Sequence, residues 1–169
     1  MTTTRTLVMN PRQVGQRLNR LAWQVYEQCS EENEIVVAGI ADNGYHLAEK
    51  ITTILRGISP IRVSLAKLVI DKDNPIGNVS MQGLDVSALE GKTVIVIDDV
   101  SNSGRTLMYG VNFFLEFSVK SIHTLVLVDR DHNRFPVKTN FVGLSLATTL
   151  QEHISVEVSA NGDDFVYLD

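Results

Sequence analysis

The segment Asp98-Asp99-Val100-Ser101-Asn102-Ser103-Gly104-Arg105-Thr106 constrains this chain more than any other. It follows an unbroken apolar run, Val94-Ile95-Val96-Ile97, with Gly91-Lys92 before it. Such a run between turn residues and acids reads as a strand buried on both faces of a parallel sheet. Two carboxylates, a short polar loop with one glycine and a helix-like stretch from Arg105 to Phe117 come next. In open α/β sheets ligands bind where strands end, and a loop opening a helix presents N–H groups to an anion. Gly104 allows close backbone approach, and Ser101, Ser103 and Thr106 add hydroxyls. Asp98 and Asp99 repel phosphate but accept hydrogen bonds from vicinal ribose hydroxyls, directly or through a metal. The segment therefore reads as a cradle for a sugar phosphate, with phosphate in the loop and the diol on the acids.

Other phosphate motifs do not fit. No Gly-Lys-Ser/Thr follows, so this is not a Walker loop, and the Gly-x-Gly-x-x-Gly fingerprint of dinucleotide sites is absent. The remaining alternative is a strand–helix turn with an acidic cap and no ligand.

A chain of 169 residues corresponds to one domain, 1–169, large enough to bury a core without staples. The single cysteine, Cys29, precludes an internal disulfide, which fits a reducing cytoplasm, and reads as structural. The opening Met-Thr-Thr-Thr-Arg-Thr lacks an apolar leader, and no stretch approaches the ~18 apolar residues of a membrane span. No membrane contact is expected. A net charge of −5 does not suggest nucleic-acid binding.

The order of elements is legible from periodicity. Asn10-Pro11 opens a helix with Val14, Leu18, Leu21, Ala22 and Val25 on one face. A strand over 34–40 leads through a turn, 39–44, into a helix over 44–56. Ile61, Val63 and Leu65 alternate with polar or small residues as a strand. Residues 71–83, rich in Asp, Asn, Pro and Gly, read as a loop and a candidate mobile lid. Strand 93–97, helix 105–117, buried strand 122–128 and a charged loop over 129–136 follow. The tail alternates weakly at Ile154, Val156, Val158, Phe165 and Tyr167, suggesting a small β-rich cap. This strand–helix alternation implies an α/β fold with a mainly parallel sheet flanked by helices.

The 94–106 segment closely resembles the phosphoribosyl-diphosphate (PRPP) motif of type I phosphoribosyltransferases: apolar strand, two acids, then a Thr-Gly-x-Thr-like loop with Ser103 in place of the first Thr. The stretch from Leu127 to Val137, then Phe141-Val142-Gly143 and Val166-Tyr167-Leu168, resembles the bifunctional pyrimidine operon regulator/uracil phosphoribosyltransferase family. The likeness runs from about Gln13 to Leu168, and includes the Arg17-to-Ala22 stretch of the first helix. It implies the type I fold with a small hood, and transfer of the ribose phosphate of PRPP to uracil, giving UMP and pyrophosphate, with Mg²⁺ accompanying PRPP. Metal-ligating residues are left open. Asp98 and Asp99 are then the catalytic pair. Ser101, Asn102, Ser103, Gly104, Arg105 and Thr106 bind the 5′-phosphate, and Ala41, Asp42, Asn43 and Gly44 bind pyrophosphate. Asp129 and Arg130 stand at the base pocket, with Arg130 as an ion-pair partner of a neighbouring acid the alternative. His132 reads as a surface-loop residue. A homodimer or higher homo-oligomer is expected.

Departures from the family pattern shape the expected activity. Where the family has Lys-Thr-Arg-Gly, this chain has Ala41-Asp42-Asn43-Gly44, without a cation and with an added acid. Mg²⁺ bridging Asp42 to the diphosphate is one reading, and weakened pyrophosphate binding is the simpler one. Ile70 replaces a lid arginine, and Lys72 reads first as a solvated loop lysine rather than its substitute. Trp23 replaces a helix histidine, and Thr148-Thr149-Leu150-Gln151-Glu152-His153 replaces a lysine-bearing stretch. RNA binding is therefore not expected. Arg17 and Arg20 read as a solvated helix face, and Trp23 as a core or interface residue. The alternative function is a catalytically weak PRPP- or nucleotide-binding regulator.

Overall fold

The structure is a computed structural model that describes residues 4–160 and 162–169. Residues 1–3, part of the stretch read as lacking a leader, lie outside it. Strand β1 (Thr6–Met9) precedes helix α1 (Pro11–Gln28). A reciprocal cap starts that helix: Gln13 N–H donates to Asn10 Oδ1, and Asn10 N–H donates to Gln13 Oε1, both at 2.9 Å. Then come β2 (Glu34–Ile40), α2 (Asn43–Ile58), β3 (Arg62–Ile70), β4 (Val79–Gln82) and a 3-10 turn, Val86–Leu89. β5 (Thr93–Ser101), α3 (Arg105–Leu115), β6 (Ser121–Asp129), β7 (Phe141–Ser145), β8 (Ile154–Glu157) and β9 (Phe165–Leu168) complete the chain.

Six strands form the main sheet in the order β4-β3-β2-β5-β6-β7. All neighbours run parallel except β4, which pairs antiparallel with β3. Alternate side chains serve two cores. Ile35, Val37, Ile95 and Ile97 pack with α1, α2 and the small sheet, whereas Val36, Ala38, Val94 and Val96 pack with Leu107 and Phe114 of α3. Covering both faces explains why β2, β5 and β6 are near-continuous apolar runs. After β2 the chain moves outward to β3, then returns past β2 to β5, so the switch of direction lies between β2 and β5. The crevice beyond the C-terminal ends of those strands is where ligands of such sheets bind.

The hood is a three-stranded antiparallel sheet, β1-β9-β8. It joins both ends of the described chain, with Thr6 opposite Leu168 and Ile154 opposite Leu168. The tail pattern predicts β8 and β9 but not β1. Lys50 of α2 fastens the hood through an ion pair of 2.5 Å to Asp164, which is 5% exposed.

The loop expected over 71–83 is in part a strand. Residues 79–82 form β4, and the residues before it make a bonded turn rather than an open loop. Asp71 N–H donates to the Asn78 carbonyl, and Asp71 Oδ1 accepts from the N–H groups of Asp73 and Asn74. Arg17 and Arg20 are not simply solvated. Arg17 Nη1 and Arg20 Nη2 donate to the Gly143 carbonyl at 3.0 and 2.6 Å, and Arg20 Nη2 also reaches the Val142 carbonyl. They thereby occupy acceptors on the edge strand β7. Trp23 is 53% exposed and so lies outside the core, edge-on to Tyr26. No helix among the described residues is long and apolar enough to cross a membrane.

Candidate active site

A cleft of about 440 Å³ opens at the switch point. Its floor is the end of β5 and the start of α3, from Asp98 to Leu107; Asn43 and Lys72 stand on one side, and His153 to Val156 of the hood segment on the other. One cleft thus gathers both acids, the loop 101–106 and Asn43. Ala41, Asp42, Gly44, Asp129 and Arg130 do not line it.

The loop is built to leave the α3 N-terminus open. Gly104 has φ 83° and, as the N-cap residue, offers no side-chain cap of its own. A Cβ on Gly104 would stand 2.8 Å from Val137 Cγ1 and 3.2 Å from the Phe135 carbonyl oxygen, so both conformation and space require glycine. The outer side of the loop is pinned by β6 and the segment after it. The Ser103 carbonyl accepts from Arg134 and Phe135 N–H, and the Ser101 carbonyl from Arg130 N–H. Ser103 Oγ accepts from Arg105 N–H at 3.2 Å. The inner side faces the cleft with the positive end of the helix. Ser101 Oγ is buried and has no hydrogen-bond partner among the described residues.

The acids differ in environment. Asp98 is 4% exposed, and its Oδ1 accepts the Asp99 N–H at 2.9 Å. Burial first, and then the neighbouring Asp99 charge, hold its pKa well above the ordinary carboxyl value, while Lys72 pulls the other way. Asp99 faces the α2 side. Its Oδ1 accepts Val100 N–H, and its Oδ2 accepts Asn43 Nδ2 at 3.0 Å. The same Asn43 amide donates to the Val156 carbonyl at 2.9 Å, linking turn, acid and hood.

The turn 41–44 contains a cis peptide bond between Ala41 and Asp42. Ala41 N–H donates to the Leu68 carbonyl, and Asp42 is solvent-exposed. Gly44 abuts β5: a Cβ there would lie 2.7 Å from the Ile97 carbonyl oxygen and 3.0 Å from Asp98 Cα. Gly44 therefore sets the contact between this turn and the acids.

Asp129 and Arg130, expected at the base pocket, stand behind the loop. Asp129 accepts from Asp131 N–H and from Thr139 Oγ1. The buried Arg130 guanidinium meets no carboxylate. It donates to Asn102 Oδ1, Thr148 Oγ1 and the carbonyls of Thr149 and Glu152. It joins the loop 101–106 to the segment leading into β8, and His132 Nε2 bonds the Thr148 carbonyl in that segment. The cleft-lining Ser155 and Val156 were invisible to motif reading. Only their alternation with Ile154 marks a strand, and nothing local says which strand end it covers.

This chain belongs to the phosphoribosyl transferase domain family, whose model matches residues 8–161. More particularly, it is 28% identical over 162 residues to the bifunctional protein PyrR of Streptococcus gordonii, covering 92% of each chain. To the bifunctional protein PyrR of Microcystis aeruginosa it is 30% identical over 172 aligned positions, covering 95% of each. The hypoxanthine phosphoribosyltransferase structure of Trypanosoma cruzi matches with a TM-score of 0.76 at 14% identity over 95% of each chain, which shows the shared fold. The expected type I fold, a mixed α/β sheet with a hood, is thus the fold observed.

Proposed function

We propose that this cleft binds PRPP and transfers its ribose phosphate to a pyrimidine, uracil, giving UMP and pyrophosphate. The observation that supports it most is the meeting, in one switch-point cleft, of the α3 N-terminus, the Asp98–Asp99 pair and Asn43 of the β2 turn. The 5′-phosphate takes the loop 101–106, the ribose hydroxyls take the acids, and the diphosphate extends toward the turn 41–44. In the transfer, the C1–O bond breaks with its electron pair on the departing diphosphate. A ring nitrogen of the base supplies the pair of the new C1–N bond, and its proton leaves to water. The protein's part is positioning, stabilising charge and excluding water. Asp129 and Arg130 serve by holding the loop and the hood segment in register.

Magnesium suits this donor set as an ion brought by the diphosphate. Among the described residues no group of three or more His, Cys, Asp or Glu is placed to hold a metal by itself. The cleft nevertheless offers two adjacent carboxylates, Asp98 and Asp99, and magnesium sites commonly combine one or two carboxylates with substrate phosphates and water. The ion would supply charge neutralisation. A cytoplasmic homo-oligomer completes the reading.

A second reading, a PRPP- or nucleotide-binding regulator with slow turnover, is favoured by the cation-free turn 41–44 with its exposed Asp42. Calorimetric titration with PRPP–Mg²⁺ and with UMP, followed by a uracil-dependent pyrophosphate-release assay, separates the two. The enzyme reading expects binding of both ligands and steady release. Binding without release supports the regulator, and binding of neither overturns both.

A further inference from the structure

We propose that Lys72 is the cation that neutralises the diphosphate of PRPP, taking the place of the basic residues that the turn 41–44 lacks. This rests on the PRPP reading of the cleft.

The geometry begins at β3. Ala41 N–H donates to the Leu68 carbonyl at 2.9 Å, so the end of β3 and the β2 turn run side by side. Lys72 comes four residues after Leu68 and lines the cleft with Asn43, Asp98 and Asp99. Its root is fixed. The antiparallel β3–β4 ribbon, the Asp71–Asn78 backbone bond and the Asp71 side-chain bonds hold the turn that carries it. Asn78 Nδ2 adds a bond of 2.8 Å to the Asn74 carbonyl, and Pro75 is buried beneath the turn. Lys72 has no ion-pair partner among the described residues. Its charge nevertheless acts on Asp98 inside the cleft.

Position assigns the anion. The only other Lys or Arg lining the cleft, among the described residues, is Arg105, which opens α3 in the 5′-phosphate loop. Arg105 leans along its helix, its Cζ 6.0 Å from the Tyr109 ring centroid. Lys72 enters from the opposite side of β2, across the acid pair. With a 5′-phosphate in the loop and a diol on the acids, Lys72 is the cleft cation left for a second anionic group, the diphosphate on C1. When the C1–O bond breaks, the diphosphate gains one negative charge. The ammonium then stabilises it by a charge-assisted contact and keeps its own proton.

The test compares wild type with Lys72→Gln, Lys72→Arg and, at the opposite end of the sheet, Lys120→Gln. Inorganic pyrophosphate with Mg²⁺, PRPP with Mg²⁺, and UMP are titrated separately. Lys72→Gln should weaken pyrophosphate and PRPP about ten- to hundredfold, the scale of one hydrogen bond to a charged group, while UMP stays within about twofold. Lys72→Arg should recover most of the loss, and Lys120→Gln should match wild type. If wild type binds PRPP and Lys72→Gln binds pyrophosphate equally well, the role given to Lys72 is wrong and the PRPP cleft stands. Equal loss of UMP would also overturn that role, because Lys72 would then act on the whole cleft. Failure of wild type to bind either PRPP or UMP overturns the cleft reading, and the role of Lys72 with it.

Discussion

Asp98 shows at the scale of one residue how function and stability pull apart. In the ligand-free fold its proton is held more tightly than in the unfolded chain, because burial and Asp99 raise its pKa. Its contribution to stability is complete below the unfolded carboxyl pKa of about 3.9. It is lost as pH rises through the raised folded value. At neutral pH the fold therefore carries a penalty at Asp98 that a side chain without a titrating proton would not. Asp98→Asn should raise the melting temperature there, by about 2–4 °C for each kcal/mol relieved, with the gain vanishing near pH 3. It should also sharply lower PRPP and UMP affinity. A variant no more stable than wild type at pH 7 would contradict the first expectation, and one that binds PRPP and UMP as wild type does would contradict the second. Cys29 gives an independent check on the core. The thiol is 2% exposed and pushed up to about 11, mainly by burial and then by Glu32. At pH 8 a disulfide reagent should label it only as fast as the protein opens. Immediate labelling of the native protein would contradict that packing.

At the scale of elements, the β2 turn and the end of β5 must touch for the cleft to exist, and Gly44 is where they do. Gly44→Ala puts a methyl against backbone atoms of Ile97 and Asp98 that have no rotamer to change. A loss of about 1–3 kcal/mol in denaturant unfolding is expected, with weakened PRPP binding as the turn leaves the acids. Full stability in that variant would show that the turn shifts without strain. The same elements show what sequence reveals. β2, β5 and β6 are covered on both faces, so their apolar runs announce them without reference to any partner. β1, β4 and β7 are edge strands of four or five residues that mix polar and apolar positions. The identity of β1 in particular comes from a neighbour distant in sequence, with Thr6 opposite Leu168. The acids, the loop 101–106 and Asn43 of the β2 turn meet in one cleft, and each lies in a contiguous segment that the sequence sets apart. Ser155 and Val156 are not set apart in this way, because only the packing of the hood brings them to the cleft, and Lys72 reads first as a solvated lysine until the ribbon places it there. Arg130 was legible as a motif residue but not in its bonding, since its four acceptors lie in segments 102 and 148–152.

At the scale of the molecule, Trp23 is 53% exposed on α1 beside Tyr26, an apolar contact available to a second copy. Sedimentation at micromolar concentration should give at least a dimer, and a lone 18.7 kDa species would contradict this. Affinity for a structured RNA hairpin is expected to be weak at physiological salt. The chain carries a net −5, Arg17 and Arg20 already bond β7 carbonyls, and the 148–153 segment has no lysine. Tight, sequence-selective binding that survives added salt would show a cationic surface formed in another way.

The hood also sets an order of events during synthesis. The six-stranded sheet, with the acids and the phosphate loop, can assemble once Ser145 has left the ribosome. The cover over the cleft cannot, because β1 waits for β9, whose residues emerge about 160 positions later. Closing so long a span carries the largest loop entropy in the fold. A nascent chain stopped before Phe165 therefore has the cleft floor, from Asp98 to Leu107, without its paired hood. A group held between floor and hood can be enclosed only once β9 has joined β1 and β8.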